Sequence, residues 1–503
     1  MRNFFIIIIF PLLTILSGCD SFLAVDNIDE MSGNVFWKTK DDVEGFALSM
    51  YSEFRDATMT DCALFPVSGD FRCAPVKDYY DSGSYNWVAY LANNDLSTLL
   101  DQYSDSKFQG VTKWNTFYEV ISSANILLYE IDRMDAGALT DNEIAGYKAE
   151  AHFMRNLSYF FLVRLYGDVP YWTNAYNEDA LPRTDMVTVL QNCLADMQSV
   201  LDDDPNAEAL PWTYANTAKV AVRAMRGSAI ALMMHINLWL AGFDVNNRDT
   251  YYQNVVNLGA DITANGGYQL LDLSKTNMIF SGGSKESLFE IVQDINKDED
   301  FEYNSVYSNY TVPRNLDEKT SPTLYYTSDF LRAIFPSSKI DGRTDAWFKN
   351  IYASDESSDE IKWVTKFLNE HTDADGNFTS NMGNQIVFRY ADVILMYAEA
   401  AAELDDDVTG RDLVNQIRNR AGAEEFTASG QDLKDDIYWE RVRELIGEGY
   451  YYYDLVRTRK IYNGNYAYNA ISRSAFDQGA WTWPINKDAL DNNPKMSLNQ
   501  YWN

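Results

Sequence analysis

The chain has 503 residues, with 41 Lys or Arg against 74 Asp or Glu, giving a formal net charge of -33. That balance argues against a nucleic-acid partner, which needs a basic footprint, and against docking of the folded body on anionic lipid. With 46% hydrophobic residues, 12 Pro and 26 Gly, the chain is globular, and its 3 His lack the spacing of a zinc box.

Residues 1–18 read as a signal peptide: Arg2 is a minimal basic start, and Phe4 to Leu16 is an apolar run. The run is shorter than the ~20 residues a spanning helix needs. It ends in Leu16-Ser17-Gly18-Cys19, which matches the bacterial lipobox, so Cys19 is expected to be lipidated and to serve as the only membrane anchor. Residues 19–503 then form one body. Asp41 to Phe54 has helical periodicity, which is lost through a Gly-, Asp-, Ser- and Tyr-rich stretch running to about Asp105. Export permits a Cys62–Cys73 bridge within it. Apolar residues then recur at three-to-four spacing from Trp114 to Ile131, Ile144 to Leu165, Met186 to Val200 and Ala218 to Trp239, with a further helix from about Tyr251 to Ala264. Cys193 falls on the apolar face of the third of these and reads as a small buried hydrophobe. Ala218, Ala221 and Ala229 are expected to let neighbouring helices approach closely. Short turns between the helices predict stacked antiparallel hairpins, a mainly α, tetratricopeptide-like scaffold without the literal repeat consensus.

Between about 266 and 388 helical period weakens, and Leu288 to Val292 looks like a strand. Helix returns at Tyr390–Leu404, Asp412–Ala421 and from Leu433 onward. The expected body is therefore a helical scaffold over about 40–265 and 389–460, interrupted by a loop-rich insertion. Loops of that length in a compact protein are usually functional or disordered.

Six blocks follow one another along the chain: Phe36-Trp37-Lys38-Thr39, the run from Arg155 to Pro170, Arg389 to Ala400, Arg418 to Gly422, Glu440 to Leu445 with Glu448-Gly449 and Tyr453 to Arg457, and Trp483-Pro484-Ile485 in the tail. In that order they resemble the SusD/RagB family of Bacteroidetes glycan-binding lipoproteins. The resemblance implies a tetratricopeptide-like scaffold, capture of a glycan at the outer membrane, and a SusC-like TonB-dependent transporter as partner. It implies no catalysis and no cofactor. Asp20 directly after the lipidated Cys is a departure, because enterobacterial sorting would retain such a lipoprotein at the inner membrane.

Read as residues, the Arg155–Pro170 block is a structural helix ending in a Gly-Asp-Val-Pro stop. Glu440, Arg441, Arg443, Glu444 and Glu448 are expected to form i,i+3 and i,i+4 ion pairs. Glycan cleavage needs two carboxylates about 5 to 9.5 Å apart, and among 74 acidic residues a pair identifies nothing. Asp373, Asp375 and Asn377 around Gly376 read as a surface turn, because the Gly is misplaced for a calcium loop.

The aromatic load is more informative: 34 Tyr, 12 Trp and 26 Phe. Sugars present apolar C–H faces ringed by hydroxyls, so flat rings with polar neighbours suit them. The first loop offers Asp70, Arg72, Tyr79, Tyr80, Tyr85, Asn86 and Trp87, with Trp87 read as a stacking ring. The insertion offers Tyr303, Tyr307, Tyr310, Tyr325 and Trp347. A structural lid with weak or broad binding, and a surface glycosidase, are the competing functions.

Overall fold

The computed structural model describes residues 36–60, 64–78, 86–103, 107–293, 324–357, 360–372, 378–381, 383–491 and 493–503. Cys19, Cys62 and the 373–377 turn lie outside the described residues. The principal helices are α1 (Lys40–Arg55), α2 (Asn86–Ala92), α3 (Asn115–Glu130), α4 (Asp141–Tyr166), α5 (Met186–Asp203), α6 (Arg226–Phe243) and α7 (Arg248–Asn265). After the insertion come α8 (Ser328–Ile334), α9 (Tyr390–Glu403), α10 (Asp407–Arg420), α11 (Gly430–Leu445) and α12 (Tyr451–Arg457). Neighbours in sequence pack on one another: α3 on α4, α4 on α5, α5 on α6, α6 on α7, α7 on α9, and α9 on both α10 and α11. This is a helical scaffold of the tetratricopeptide-like kind.

Local chemistry sets the boundaries. The Thr140 hydroxyl accepts the Glu143 N–H, and the Glu143 carboxylate accepts the Thr140 N–H at 2.9 Å, a capping box that starts α4. Gly167 at φ +73° ends it, in a conformation that an L side chain resists. Most of α4 from Tyr147 onward and nearly all of α6 is buried, as expected for helices with little polar face.

Two stretches differ from the sequence expectation. Residues 218–225 are not part of α6: Ala221 sits at φ +63°, and its carbonyl accepts the Glu290 N–H at 2.9 Å. Ala218 and Ala221 therefore provide no helix-packing face; Ala229 does, fully buried within α6. The aperiodic first loop contains α2 and a further helix, Leu96–Gln102, started by the Asp95 carboxylate accepting the Thr98 N–H. Both helices are short, and packing decides them where period could not.

The described strands form two-stranded antiparallel pairs. β1 (Val76–Asp78) pairs with β3 (Leu324–Tyr326), and β2 (Ser287–Ile291) pairs with β8 (Gln385–Arg389). The short ladders of β4 (Phe348–Lys349) with β5 (Trp363–Val364) and of β6 (Glu370–Thr372) with β7 (Phe378–Asn381) fall within the insertion.

The acidic and basic residues of the C-terminal blocks do something other than staple one helix. Among the described residues Glu440–Arg443 and Asp454–Arg457 are i,i+3 pairs; the bonds of Glu444 and Glu448 run to other elements. Arg343 donates to Glu440 at 2.7 Å and to Glu444 at 3.1 Å. Arg389 grips Glu448 with two bonds of 2.6 and 2.7 Å, and reaches Glu444 at 2.8 Å and Glu286 at 3.2 Å. Arg418 pairs with Glu440 and Arg420 with Glu444, while Lys366 donates to Glu448 at 2.6 Å and to the carbonyls of Glu444 and Ile446. All these side chains are buried. A second buried chain joins His235 to Asp392 at 2.7 Å and Asp392 to Arg441 at 2.8 Å. The His235 ring lies stacked between Phe388 and Tyr450, and burial lowers its pKa against the pull of Asp392.

Burial pushes the Glu444 carboxyl up, but Arg420, Arg389 and Arg343 outweigh it and hold the group well below the carboxylate range. Glu444→Ala is expected to cost about 3–5 kcal/mol in denaturant unfolding, since it leaves buried guanidiniums unmatched. Because the folded-state pKa is depressed, this contribution is present above the ordinary glutamate range, about pH 4.3. The gap between wild type and variant should therefore shrink as pH falls below that value. A gap that stayed constant to pH 3 would contradict the assignment.

Candidate functional site

The β1–β3 ladder is three rungs long: Val76 opposite Tyr326, Lys77 opposite Tyr325, and Asp78 opposite Leu324. Antiparallel pairing sets the last residue of β1 against the first of β3. The segment that follows Asp78 and the segment that precedes Leu324 therefore meet the scaffold at the same end of one ladder. Those segments contain Tyr79, Tyr80 and Tyr85 on one side and Tyr303, Tyr307 and Tyr310 on the other, which lie outside the described residues.

The root is tied down on every side. The Thr327 N–H donates to the Pro75 carbonyl at 2.9 Å, and Cys73 N–H to the Leu91 carbonyl of α2 at 3.1 Å. Lys362 Nζ sits 4.5 Å above the Tyr325 ring, donates to Ser328 Oγ at 2.7 Å and pairs with Asp355, whose carboxylate also accepts the Ser328 N–H at 2.9 Å. Burial raises Asp355, but bonds from Lys362 and Ser328 bring it below its ordinary value.

Four of the residues singled out from sequence belong to the core instead. Trp87, 4% exposed, packs between Phe71 and Phe108 at ring-centroid distances of 6.3 and 5.1 Å. Its polar neighbours in sequence suggested a ligand ring, but α2 turns it inward while leaving Asn86 on the surface. Arg72 bonds Asn94 at 2.6 Å and the carbonyls of Ala480, Trp481 and Thr482, with its guanidinium 4.4 Å over Tyr452. It fastens the C-terminal segment. Trp347, 1% exposed, donates its indole N–H to Thr276 at 2.9 Å and lies beneath Lys366, as an aromatic floor of the charge network. Asp70 is buried and accepts the Gly449 N–H at 2.7 Å, where the backbone approach is so close that a Cβ on Gly69 would lie 2.2 Å from the Gly449 carbonyl oxygen. Burial pushes Asp70 up to about 8, against the pull of that bond and of Lys366. Cys73 is a free, buried thiol raised to about 12 by desolvation, and Cys193 is likewise free and buried.

The structure adds a segment that the sequence reading passed over. Residues 463–471 lie against the root: Tyr468 N–H donates to the Cys73 carbonyl at 3.1 Å, and Asn469 bonds the Ala92 carbonyl and Asn93. The Tyr468 ring is 46% exposed. Beside it Tyr466 stacks on Trp439 with planes 10° apart, its hydroxyl on Asp435. The run Tyr462-Asn463-Gly464-Asn465-Tyr466-Ala467-Tyr468-Asn469 has the same Tyr, Asn and Gly composition that marked the other two loops, so the same criterion would have found it. Among the described residues, no group of His, Cys, Asp and Glu is arranged to hold a metal.

A family model described as the SusD family matches residues 245–502, and one described as "Starch-binding associating with outer membrane" matches residues 72–238. The chain belongs to the SusD family. A SusD homolog from Bacteroides thetaiotaomicron is 50% identical, with a TM-score of 0.86 over 92% of this chain and 99% of that one. NanU of B. fragilis shares the fold at 19% identity, with a TM-score of 0.72 over 94% and 98% of the two chains. SusD-like protein P38 of Formosa agariphila is 24% identical over 97% of this chain and 96% of its own length. SusD membership implies a glycan-binding accessory protein of a Sus-like system, associated with the outer membrane.

Two outcomes follow from the burial of the corrected residues. Trp87→Ala should lower stability by about 3–5 kcal/mol, as large-to-small core changes do, while glycan affinity of the folded fraction is unchanged by titration. Loss of affinity without loss of stability would return Trp87 to the ligand face. For Asp70 the folded pKa of about 8 lies above the unfolded value, so its contribution is full below about pH 3.9 and declines as pH rises towards 8. Asp70→Asn has no such decline. Thermal melts should show the variant gaining on wild type between pH 5 and 8, and parallel curves would show the carboxyl ionised in the fold.

Proposed function

We propose that the protein captures oligo- or polysaccharide at the cell surface without cleaving it and delivers it to a SusC-like TonB-dependent transporter, tethered by lipid on Cys19. The observation that carries the binding role is the β1–β3 pairing. It roots two Tyr-rich segments, far apart in sequence, at one end of a rigid ladder, and the exposed Tyr468 lies alongside. A scaffold that holds variable loops suits one fold to many ligands. The outer-membrane association of the family and the lipobox together support the anchored location.

Titration of a glycan panel tests this directly. One ring is expected to contribute about 0.5–1.5 kcal/mol, by analogy with aromatic pairs, which is roughly a two- to thirteen-fold loss of affinity. Tyr468→Ala should show such a loss, and the Tyr303/Tyr307/Tyr310→Ala variant a larger one, with melting temperatures unchanged. Wild-type affinity in both variants would remove this face from the binding role, and release of cleaved product from the panel would overturn the non-catalytic reading.

A further inference from the structure

Next to Tyr466, whose ring lies 4.1 Å from Lys460 Nζ, the ends of several helices converge on a cavity of about 210 Å³. Its apolar floor is Leu238, Ala241 and Gly242 at the end of α6; Arg248 and Tyr252 come from α7, Glu399 and Glu403 from α9, Lys434 and Tyr438 from α11, and Arg457 to Lys460 from the end of α12. The volume is below the ~300–1,000 Å³ of pockets for drug-sized ligands and suits something nearer one sugar ring. The exposed Arg248 and Gln431 place its mouth at the surface.

The charges around it are unevenly paired. Arg457 is matched by Glu399 and Asp454, Lys460 by Asp435 at 2.9 Å, and Lys434 by Asp405 at 3.4 Å and Glu403 at 3.6 Å. Among the described residues, Arg248 and Arg459 have no carboxylate within 4.0 Å. Arg248 Nε donates to the Ala241 carbonyl at 3.1 Å, and Arg459 Nη2 to the Gly242 carbonyl at 2.7 Å. Arg459 is held there in the left-handed region at φ +61°, its guanidinium 3.9 Å over Phe243 and 4.5 Å over Phe476. In a chain of net charge -33, two unmatched arginines on one cavity form a local oxyanion trap, since planar guanidinium forks match carboxylates. Glu403, Gln431 and Thr458 line the same space with groups that exchange hydrogen bonds with hydroxyls, and Tyr252 adds a ring.

We infer that this cavity is a second ligand site and that it takes an acidic monosaccharide through its carboxylate on Arg248 and Arg459. Isothermal titration of the full-length chain with glucuronate, glucose and inorganic sulfate tests it. Glucuronate should bind saturably at one site and glucose should not. Arg248→Gln, at an exposed position, should weaken glucuronate at least five-fold with an unchanged melting temperature. The Arg248→Gln/Arg459→Gln pair should weaken it at least ten-fold. Absence of saturable heat, equal binding of glucose, sulfate binding as tight as glucuronate, or wild-type affinity in Arg248→Gln would each overturn the assignment. Because Tyr468 does not line the cavity, Tyr468→Ala should leave glucuronate affinity unchanged; a loss there would show a single shared site.

Discussion

The fold depends on matching a set of buried cations to a set of buried carboxylates. Glu440, Glu444 and Glu448 project from the last turns of α11 and the residues after it, and their partners come from the insertion, from β8 and from α10. Taking such groups out of water costs several kcal/mol per ion, so the arrangement holds only where every member has its bonds. Arg389 and Lys366 fulfil that condition with donors on both carboxylates and backbone carbonyls. Removing one partner is then far more damaging than exchanging the whole set for apolar residues. The network also specifies geometry: apolar helix faces can slide, whereas a two-bond Arg–Glu contact cannot.

The root of the two Tyr-rich segments draws its rigidity from this organisation. Asp70 bonds the backbone of Gly449, the residue next to Glu448, and α8 follows β3 to pack on α11, where Arg443 Nε bonds the Ile334 carbonyl at 2.6 Å. The ladder is thus supported from beneath by the same helix that carries the buried glutamates. Side chains that look like binding groups in the sequence, Arg72 and Trp347 among them, are the supports.

What the sequence disclosed follows from where the information is local. Long helices were legible because a buried stripe repeats at 3.6 residues over many turns, as in α3, α5 and α7. The start of α6 was not, because Ala218 and Ala221 continue the apolar spacing while Ala221 adopts a left-handed conformation that only tertiary contacts with β2 explain. The orientation of Trp87 was also non-local: a seven-residue helix can turn either face inward, and the presence of Phe71 and Phe108 decides which. The glutamates of α11 were visible as charges, but their partners are dozens of residues away and no spacing rule reaches them. Composition located two Tyr-rich segments; the pairing that gives them a common root is a contact across roughly half the chain.

That distribution of partners has a consequence for the order in which the molecule can assemble. Chains tend to fold from the N-terminus as they emerge, yet Arg343, Arg389, Arg418 and Arg420 all precede the glutamates of α11 that neutralise them. Arg72 waits longer still, for the carbonyls of residues 480–482. Until α11 has emerged, Arg343, Arg389 and Arg420 have only Asp341 and Glu286 as carboxylate partners, and the network cannot close. The core network is thus completed only when α11 has been added to the elements that precede it.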